Sequence, residues 1–216
     1  MINDSQLQQA VQDELKWEPR VTAAHIGVTA HAGVVTLTGH VETYPEKQAA
    51  ERAATRVKGV KGVAEELEVR LPFETKRSDE AIAAAAIERL SWDVSVPKDS
   101  LQVKVEKGWV TLSGQVDHYF QKHAPEQDIR PLIGVIGVSN QITIKAQPHA
   151  DAITNNIMHA LHRSWLFDPN TIQVSGTDGR VKLSGTAASA HDKAVAASTA
   201  WMALGVTSVE NILAIV

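Results

Sequence analysis

An internal repeat constrains this chain more than any other feature. The segment Ala32-Gly33-Val34-Val35-Thr36-Leu37-Thr38-Gly39 returns as Lys107-Gly108-Trp109-Val110-Thr111-Leu112-Ser113-Gly114, and again as Asp178-Gly179-Arg180-Val181-Lys182-Leu183-Ser184-Gly185. Twenty residues beyond the last glycine of each block stands a Gly-Val pair: Gly59-Val60, Gly134-Val135 and Gly205-Val206. Three residues further come Val63, Val138 and Val209, while Ile26, Leu101 and Ile172 each precede the turn glycine by seven. A length of 216 residues alone suggests one or two domains. The repeat instead divides the chain into three small ones, 1–71, 78–145 and 149–216. Units of this size have modest cores and short connections, so they are expected to pack together rather than swing freely.

Each copy reads alike. A first helix places Leu7, Val11 and Leu15 on one face, matched by Ile82, Ala86 and Leu90 and by Ile153, Ile157 and Leu161. Asp4 or Ser5, Ser78 or Asp79, and Asp151 are the expected N-caps. A hairpin with a two-residue, glycine-containing turn follows. That loop length sets Ile26 opposite Gly39, Val28 opposite Leu37 and Ala30 opposite Val35. The same arithmetic pairs Leu101 with Gly114, Val103 with Leu112, Val105 with Val110, Ile172 with Gly185, Val174 with Leu183, and Gly176 with Val181. One side is then apolar and the other, carrying Thr36, Thr38, Thr111, Ser113, Lys182 and Ser184, is wet. A second helix is predicted near 45–57, 120–132 and 191–203, with Gly59 and Gly205 as C-caps. Pro125 and Pro131 should shorten or kink the middle one. Third strands contain Leu67 and Val69, Ile142 and Ile144, and Ile212 and Leu213, each parallel to the strand before the crossover. The expected fold is α+β: three tandem α-β-β-α-β units, each a three-stranded mixed sheet with two helices on one face.

Composition narrows the function classes. The net charge is −4, spread as −2, −1 and −1 over residues 1–73, 74–147 and 148–216, so nothing attracts nucleic acid in general. The absence of cysteine excludes disulfides, thiolate metal sites and cysteine nucleophiles. The first ten residues have no signal-peptide pattern, and no apolar run of about 18 residues is present to span a bilayer. A cytoplasmic protein is expected, or a periplasmic one where a signal has been removed. No nucleophile elbow, Walker loop, dinucleotide fingerprint or zinc-protease motif occurs, so no catalytic residue and no cofactor are assigned.

The unit order, the recurring Gly-x-Val-x-Leu-[Ser/Thr]-Gly and the following Gly-Val-x-x-Val resemble the BON domain of bacterial osmotic-stress and nodulation proteins. The resemblance covers nearly the whole chain as three tandem domains. The third copy departs most, with Arg180 and Lys182 beside its turn. The resemblance implies a non-enzymatic bacterial stress-response module, a binding or scaffold protein in contact with phospholipid or an envelope component. The alternative is a cytosolic protein-interaction module or small-cation sensor without lipid binding.

The candidate contact residues are aromatic and basic. Trp17, Trp92 and Trp165 all close the first helix of their copy, which points to a shared packing role. Trp109 and Trp201 fall where the sister copies have Val34 and Arg180, or Thr55 and Arg130. They are candidates for contact with another domain, another subunit or lipid, and packing between repeats competes with that reading. Lys104 and Lys107 add positive charge near Trp109, diluted by Glu106. The nearly uncharged stretch from Ala194 to Leu204 reads as an assembly face first and a lipid face second, so self-association is a further expectation. His159 and His162, three apart on a helix with His149 and Asp151 nearby, are the metal-ligand candidates, against solvated histidines. His25 and His40 are placed opposite each other by the hairpin register. Side by side they would repel when protonated, below about pH 6.5, against two exposed strand-end histidines.

Overall fold

The computed structural model describes residues 3–145, 150–164 and 171–215. The chain separates into two compact units, Met1–Glu88 with Lys104–Val110 and Asp128–Ser139, and Arg89–Val103 with Thr111–Gln127 and Asn140–Val216. The middle repeat contributes residues to each.

The first repeat runs α1 (Asp4–Trp17), β1 (Ile26–His31), β2 (Val34–Val41), α2 (Tyr44–Arg56) and β3 (Gly62–Val69). The second runs α3 (Asp79–Trp92), β4 (Leu101–Glu106), β5 (Trp109–Val116), α4 (Tyr119–Ile129) and β6 (Gly137–Ile144). The third runs α5 (Ala150–His162), β7 (Ile172–Thr177), β8 (Arg180–Ala187), α6 (Ala190–Trp201), β9 (Ser208–Asn211) and β10 (Ala214–Ile215). The sheets have the orders β1-β2-β3, β4-β5-β6 and β10-β8-β7, with β9 also paired to β8. The α-β-β-α-β unit is thus present three times.

The predicted helix faces are the buried ones: Leu7, Val11 and Leu15 on α1, Ile82, Ala86 and Leu90 on α3, and Ile153, Ile157 and Leu161 on α5. In the first repeat they meet Val28, Val35, Leu37 and Leu67 with Ala50, Ala53 and Ala54 of α2, and in the third Val181, Leu183 and Leu213 with Ala196 and Ala200 of α6. Alanines let the second helix lie close to the sheet. Each fully buried leucine or valine contributes about 1.5–3 kcal/mol.

The hairpin registers are those expected for the outer repeats. Ile26 pairs with Gly39, Val28 with Leu37 and Ala30 with Val35, and Ile172 pairs with Gly185, Val174 with Leu183 and Gly176 with Val181. The turn residues Ala32-Gly33, Lys107-Gly108 and Asp178-Gly179 all have positive φ, the conformation of a type I′ turn. β3 runs parallel to β2, and β9 and β10 run parallel to β8. A Cβ at the turn glycine would stand 2.8 Å from the Gly134 carbonyl oxygen at Gly108 and 2.4 Å from that of Gly205 at Gly179. The paired glycines of the motif are therefore a backbone-to-backbone contact between the hairpin turn and the loop before the third strand.

Several local expectations are corrected. Asn3, not Asp4 or Ser5, caps α1: its side chain accepts from Gln6 N at 2.7 Å, and Gln6 accepts from Asn3 N at 3.2 Å. Asp4 instead accepts from Ala32 N in the hairpin turn at 3.0 Å. Asp79 takes the same role, accepting from Lys107 N at 2.7 Å and Gly108 N at 2.8 Å, and leaves Ser78 to cap α3 through Ala81 N. Asp151 lies inside α5 rather than at its cap. Gly59 and Gly205 are not helix C-caps. They occupy the third position of turns closed by Val60 N to Val57 O and Val206 N to Ala203 O, after the helices have ended. Ile212 is exposed, in a break between β9 and β10, and Leu213 alone takes the core position. Pro131 is reached only after α4 has stopped at Ile129, and Pro125 lies within that helix.

Two polar devices recur that the glycine–valine motif does not contain. Glu46, Gln121 and Asp192 occupy one position near the start of the second helix. Glu46 accepts from Thr22 N at 2.7 Å and Glu42 N at 3.0 Å, Gln121 from Asp117 N and His118 N, and Asp192 from the Ser189 hydroxyl. Lys47 and Lys193 each donate to the carbonyl of the buried third-strand leucine, Leu67 and Leu213, at 2.7 Å. Glu46, Gln121 and the two lysines satisfy backbone groups that packing would otherwise strand, whereas Asp192 holds the hydroxyl of the helix-capping Ser189.

Where α1 ends, Glu18 is only 6% exposed. Its carboxylate accepts from Arg20 at 2.8 Å and from Arg56 at 3.3 Å, and Arg56 also reaches Glu14 at 2.9 Å. The Arg20 hydrogen bond, opposed by burial and assisted by Arg56, holds the Glu18 carboxyl at about 2. A depressed carboxyl pKa stabilises the fold fully above the unfolded value and loses that stabilisation as pH falls through the folded one. Stability should therefore decline between roughly pH 5 and pH 2. Urea unfolding against pH should show a shallower acid limb in Glu18→Gln than in the parent, and parallel limbs would remove Glu18 from that role.

Candidate functional site

The structure separates the five tryptophans. Trp17 and Trp92, the last residues of α1 and α3, are 83% and 78% exposed, which overturns the shared packing role expected for them. Trp165 lies outside the described residues. Trp109 is half exposed, and its ring lies against Gly137, where a Cβ would come within 2.4 Å of it. The missing side chain on β6 is what makes room for the indole. Lys104 pairs with Glu106 at 3.0 Å, so its charge is locally balanced.

Trp201 is partly buried. It packs on the third-repeat core and stacks on Tyr119 at 4.1 Å between centroids, inclined by 22°. His118, Phe120, Ser198 and Met202 complete a cavity of about 460 Å³ with an almost wholly apolar lining. Phe120 and Met202, which line it, are exposed.

His25 and His40 stack with centroids 4.7 Å apart and planes inclined by 13°, the side-by-side arrangement that the hairpin register predicts. His159 and His162 are exposed on α5 and His149 lies outside the described residues. Among the described residues no group of three or more histidine, aspartate or glutamate side chains is placed to hold a metal ion. Also among them, no helix is long and apolar enough to cross a membrane.

A second concavity, of about 520 Å³, lies in the first compact unit and is lined by Arg70, Lys76, Arg77 and Lys107 with Glu68 and Asp79. Phe73, on the same connecting segment, is 87% exposed. Of these residues only Lys107 is a contact candidate from the sequence, and Asp79 enters there as an expected helix cap. An aromatic residue in a short connector followed by two cations was the signal available for the others.

The BON domain family matches residues 3–70, 78–146 and 149–216. The chain belongs to the BON family. All three matched segments contain one α-β-β-α-β unit, so each BON domain here carries the twin-glycine contact and the buried first-helix stripe described above. The chain is 30% identical over 148 residues to osmotically-inducible protein Y of Escherichia coli (strain K12), covering 67% of this chain and 74% of that protein. Two solved structures of CdsD, a structural protein of the type III secretion system of Chlamydia trachomatis, align with it. One alignment covers 96% of this chain and 91% of that chain at 17% identity, the other all of both at 16%, each with a TM-score of 0.28. An overlap of that quality carries no inference.

Proposed function

We propose that this BON protein is a non-catalytic binding and scaffold protein of the bacterial stress response that contacts phospholipid through more than one of its domains. The observation that carries the reading is the pair Trp17 and Trp92, exposed at equivalent helix ends of two repeats. An indole held in water at one place in successive domains has a large apolar face and one polar N–H, the combination that favours a membrane–water interface. One such anchor is weak. Two on one chain act at high effective concentration, so modest contacts sum to useful avidity. The likeness to a protein named for osmotic induction supports the stress-response half of the reading. The binding surface is the same whether the protein works in the cytoplasm or the periplasm.

Flotation with vesicles of phosphatidylglycerol and phosphatidylethanolamine tests the reading. Trp17→Ala and Trp92→Ala should each weaken association, and the double variant should lose on the order of a hundredfold, the scale of a lost linked contact. Both side chains are exposed, so the melting curve should barely move. Unchanged flotation, with altered sedimentation or pull-down of a protein partner, would favour the protein-interaction alternative.

A further inference from the structure

The basic concavity is built by the way the chain passes from the first repeat to the second. β3 ends at Val69, and Arg70 N donates to Val41 O at 2.8 Å, which fixes where that side chain leaves the sheet. The turn Pro72–Thr75, closed by Thr75 N to Pro72 O at 3.0 Å, then reverses the chain toward Lys76 and Arg77. Arg77 Nη1 donates to the carbonyls of Glu74 and Lys76, both at 2.8 Å. Its stem fits because residue 134 is glycine: a Cβ there would stand 2.9 Å from Arg77 Cβ. Lys107 enters from the β4–β5 turn, whose backbone Asp79 holds.

The charges do not cancel. Glu68 is taken by Arg70 at 2.8 Å, and the Asp79 carboxylate, held by two backbone N–H groups, offsets only one of the three remaining cations. No carboxylate pairs with Lys76, Arg77 or Lys107 among the described residues. Three cations share this concave wall with one carboxylate, so a positive surplus is left in a chain whose net charge is −4, and an added anion would relieve it. The turn at Lys107 in the sister repeats carries Ala32 and Asp178, so the fold does not require a cation there.

We propose that this cleft is a binding site for a phosphoryl group, with Lys76, Arg77 and Lys107 as its ligands. A tetrahedral oxyanion presents several oxygens to donors arriving from different directions, which suits two exposed ammonium groups and one held guanidinium. The volume of about 520 Å³ takes a phosphate or a glycerophosphate group. The overall negative charge works against long polyanions such as nucleic acid. The site is separate from the tryptophan anchors and does not depend on them.

The test titrates inorganic phosphate into the full chain by calorimetry and floats the same protein with vesicles of phosphatidylglycerol in phosphatidylcholine. Saturable phosphate binding that weakens at least tenfold in Lys76→Ala/Lys107→Ala supports the site, with unchanged melting as the folding control. If flotation falls by a similar factor in that variant and in Phe73→Ala, the phosphoryl group is a lipid headgroup. If flotation holds while the phosphate titration collapses, it is a soluble phosphate. Trp17→Ala/Trp92→Ala should leave the phosphate titration untouched, which keeps this proposal distinct from the anchor reading. Parent and double-lysine variant behaving alike toward both probes overturns it.

Discussion

An alanine at Gly185 removes the third BON domain from the folded protein, and the same change at Gly39 removes the first. Both glycines hold positive φ, +114° and +112°, inside the hairpin and opposite the first residue of the partner strand. A Cβ at Gly185 would stand 2.0 Å from the carbonyl oxygen of Thr171, and one at Gly39 would stand 2.1 Å from that of His25. The obstacle is backbone, not the far end of a flexible side chain. Relief requires the two strands to part at the position where β7 and β8, or β1 and β2, begin their ladder. Left-handed strain costs about 1–3 kcal/mol by itself, and the lost pairing and packing bring the total to roughly 4 kcal/mol or more. A core of about 70 residues supplies only about 3–5 kcal/mol, so the domain does not survive. Gly62 is the internal control, since a Cβ there meets nothing within 4 Å. Urea unfolding with amide NMR should show the altered domain's dispersed signals gone in Gly185→Ala, the first domain's signals kept, and Gly62→Ala nearly unchanged. A Gly185→Ala unfolding free energy within about 1 kcal/mol of the parent's would mean that the strand ends relax cheaply and that this glycine is not structural in the sense argued.

That glycine was legible in the sequence as a recurring letter, and its physical reason was not. Spacing reveals that a position is fixed but not what stands opposite it, and the Thr171 carbonyl follows only from the three-dimensional course of the strand. The registers of the two outer hairpins were legible in full, because in the first a two-residue loop leaves one pairing that puts Val28, Val35 and Leu37 on the same side, and the third follows the same rule. The helix caps were harder to read. Asn3, Asp4 and Ser5 are all competent N-caps, and the choice is made by the Ala32 N–H, which lies 28 residues away and claims Asp4. Trp17 and Trp92 were misassigned although the information was present. Each follows the last buried leucine, Leu15 or Leu90, by two residues, and at 100° per residue that places it about 200° from the apolar stripe. Recurrence marked the position as significant, and helix geometry had already decided that it faces outward. The basic cleft was not legible, because Lys107 and Arg77 are 30 residues apart and only the turn after Pro72 brings them to one wall.

Trp201→Ala should destabilise the second compact unit by about 2–4 kcal/mol, the range for loss of a well-packed aromatic anchor. The sister positions hold Thr55 and Arg130, so the domain's own core is built without an aromatic there. What the indole adds is the stack on Tyr119 at 4.1 Å, which ties the end of α6 to the start of α4, a helix of the preceding BON domain. Its removal enlarges the cavity bounded by His118, Phe120 and Met202 and leaves the Tyr119 ring with only the tilted His123 ring, at 4.2 Å, beside it. The backbone of α6 is untouched, because Ala196 and Ala200 carry its contact with the sheet. Secondary structure should persist while denaturation shifts. The pairwise contribution is separable: in a double-mutant cycle with Tyr119→Leu, the coupling should be about 0.5–1.5 kcal/mol, the worth of an aromatic pair beyond burial. Sedimentation and flotation of the same variant divide the remaining uses of the surface. A fall in sedimentation coefficient means that a second copy also covers this face, and a loss of vesicle binding means that lipid does. Additive single substitutions with no change in either assay would show that the stack ties nothing together.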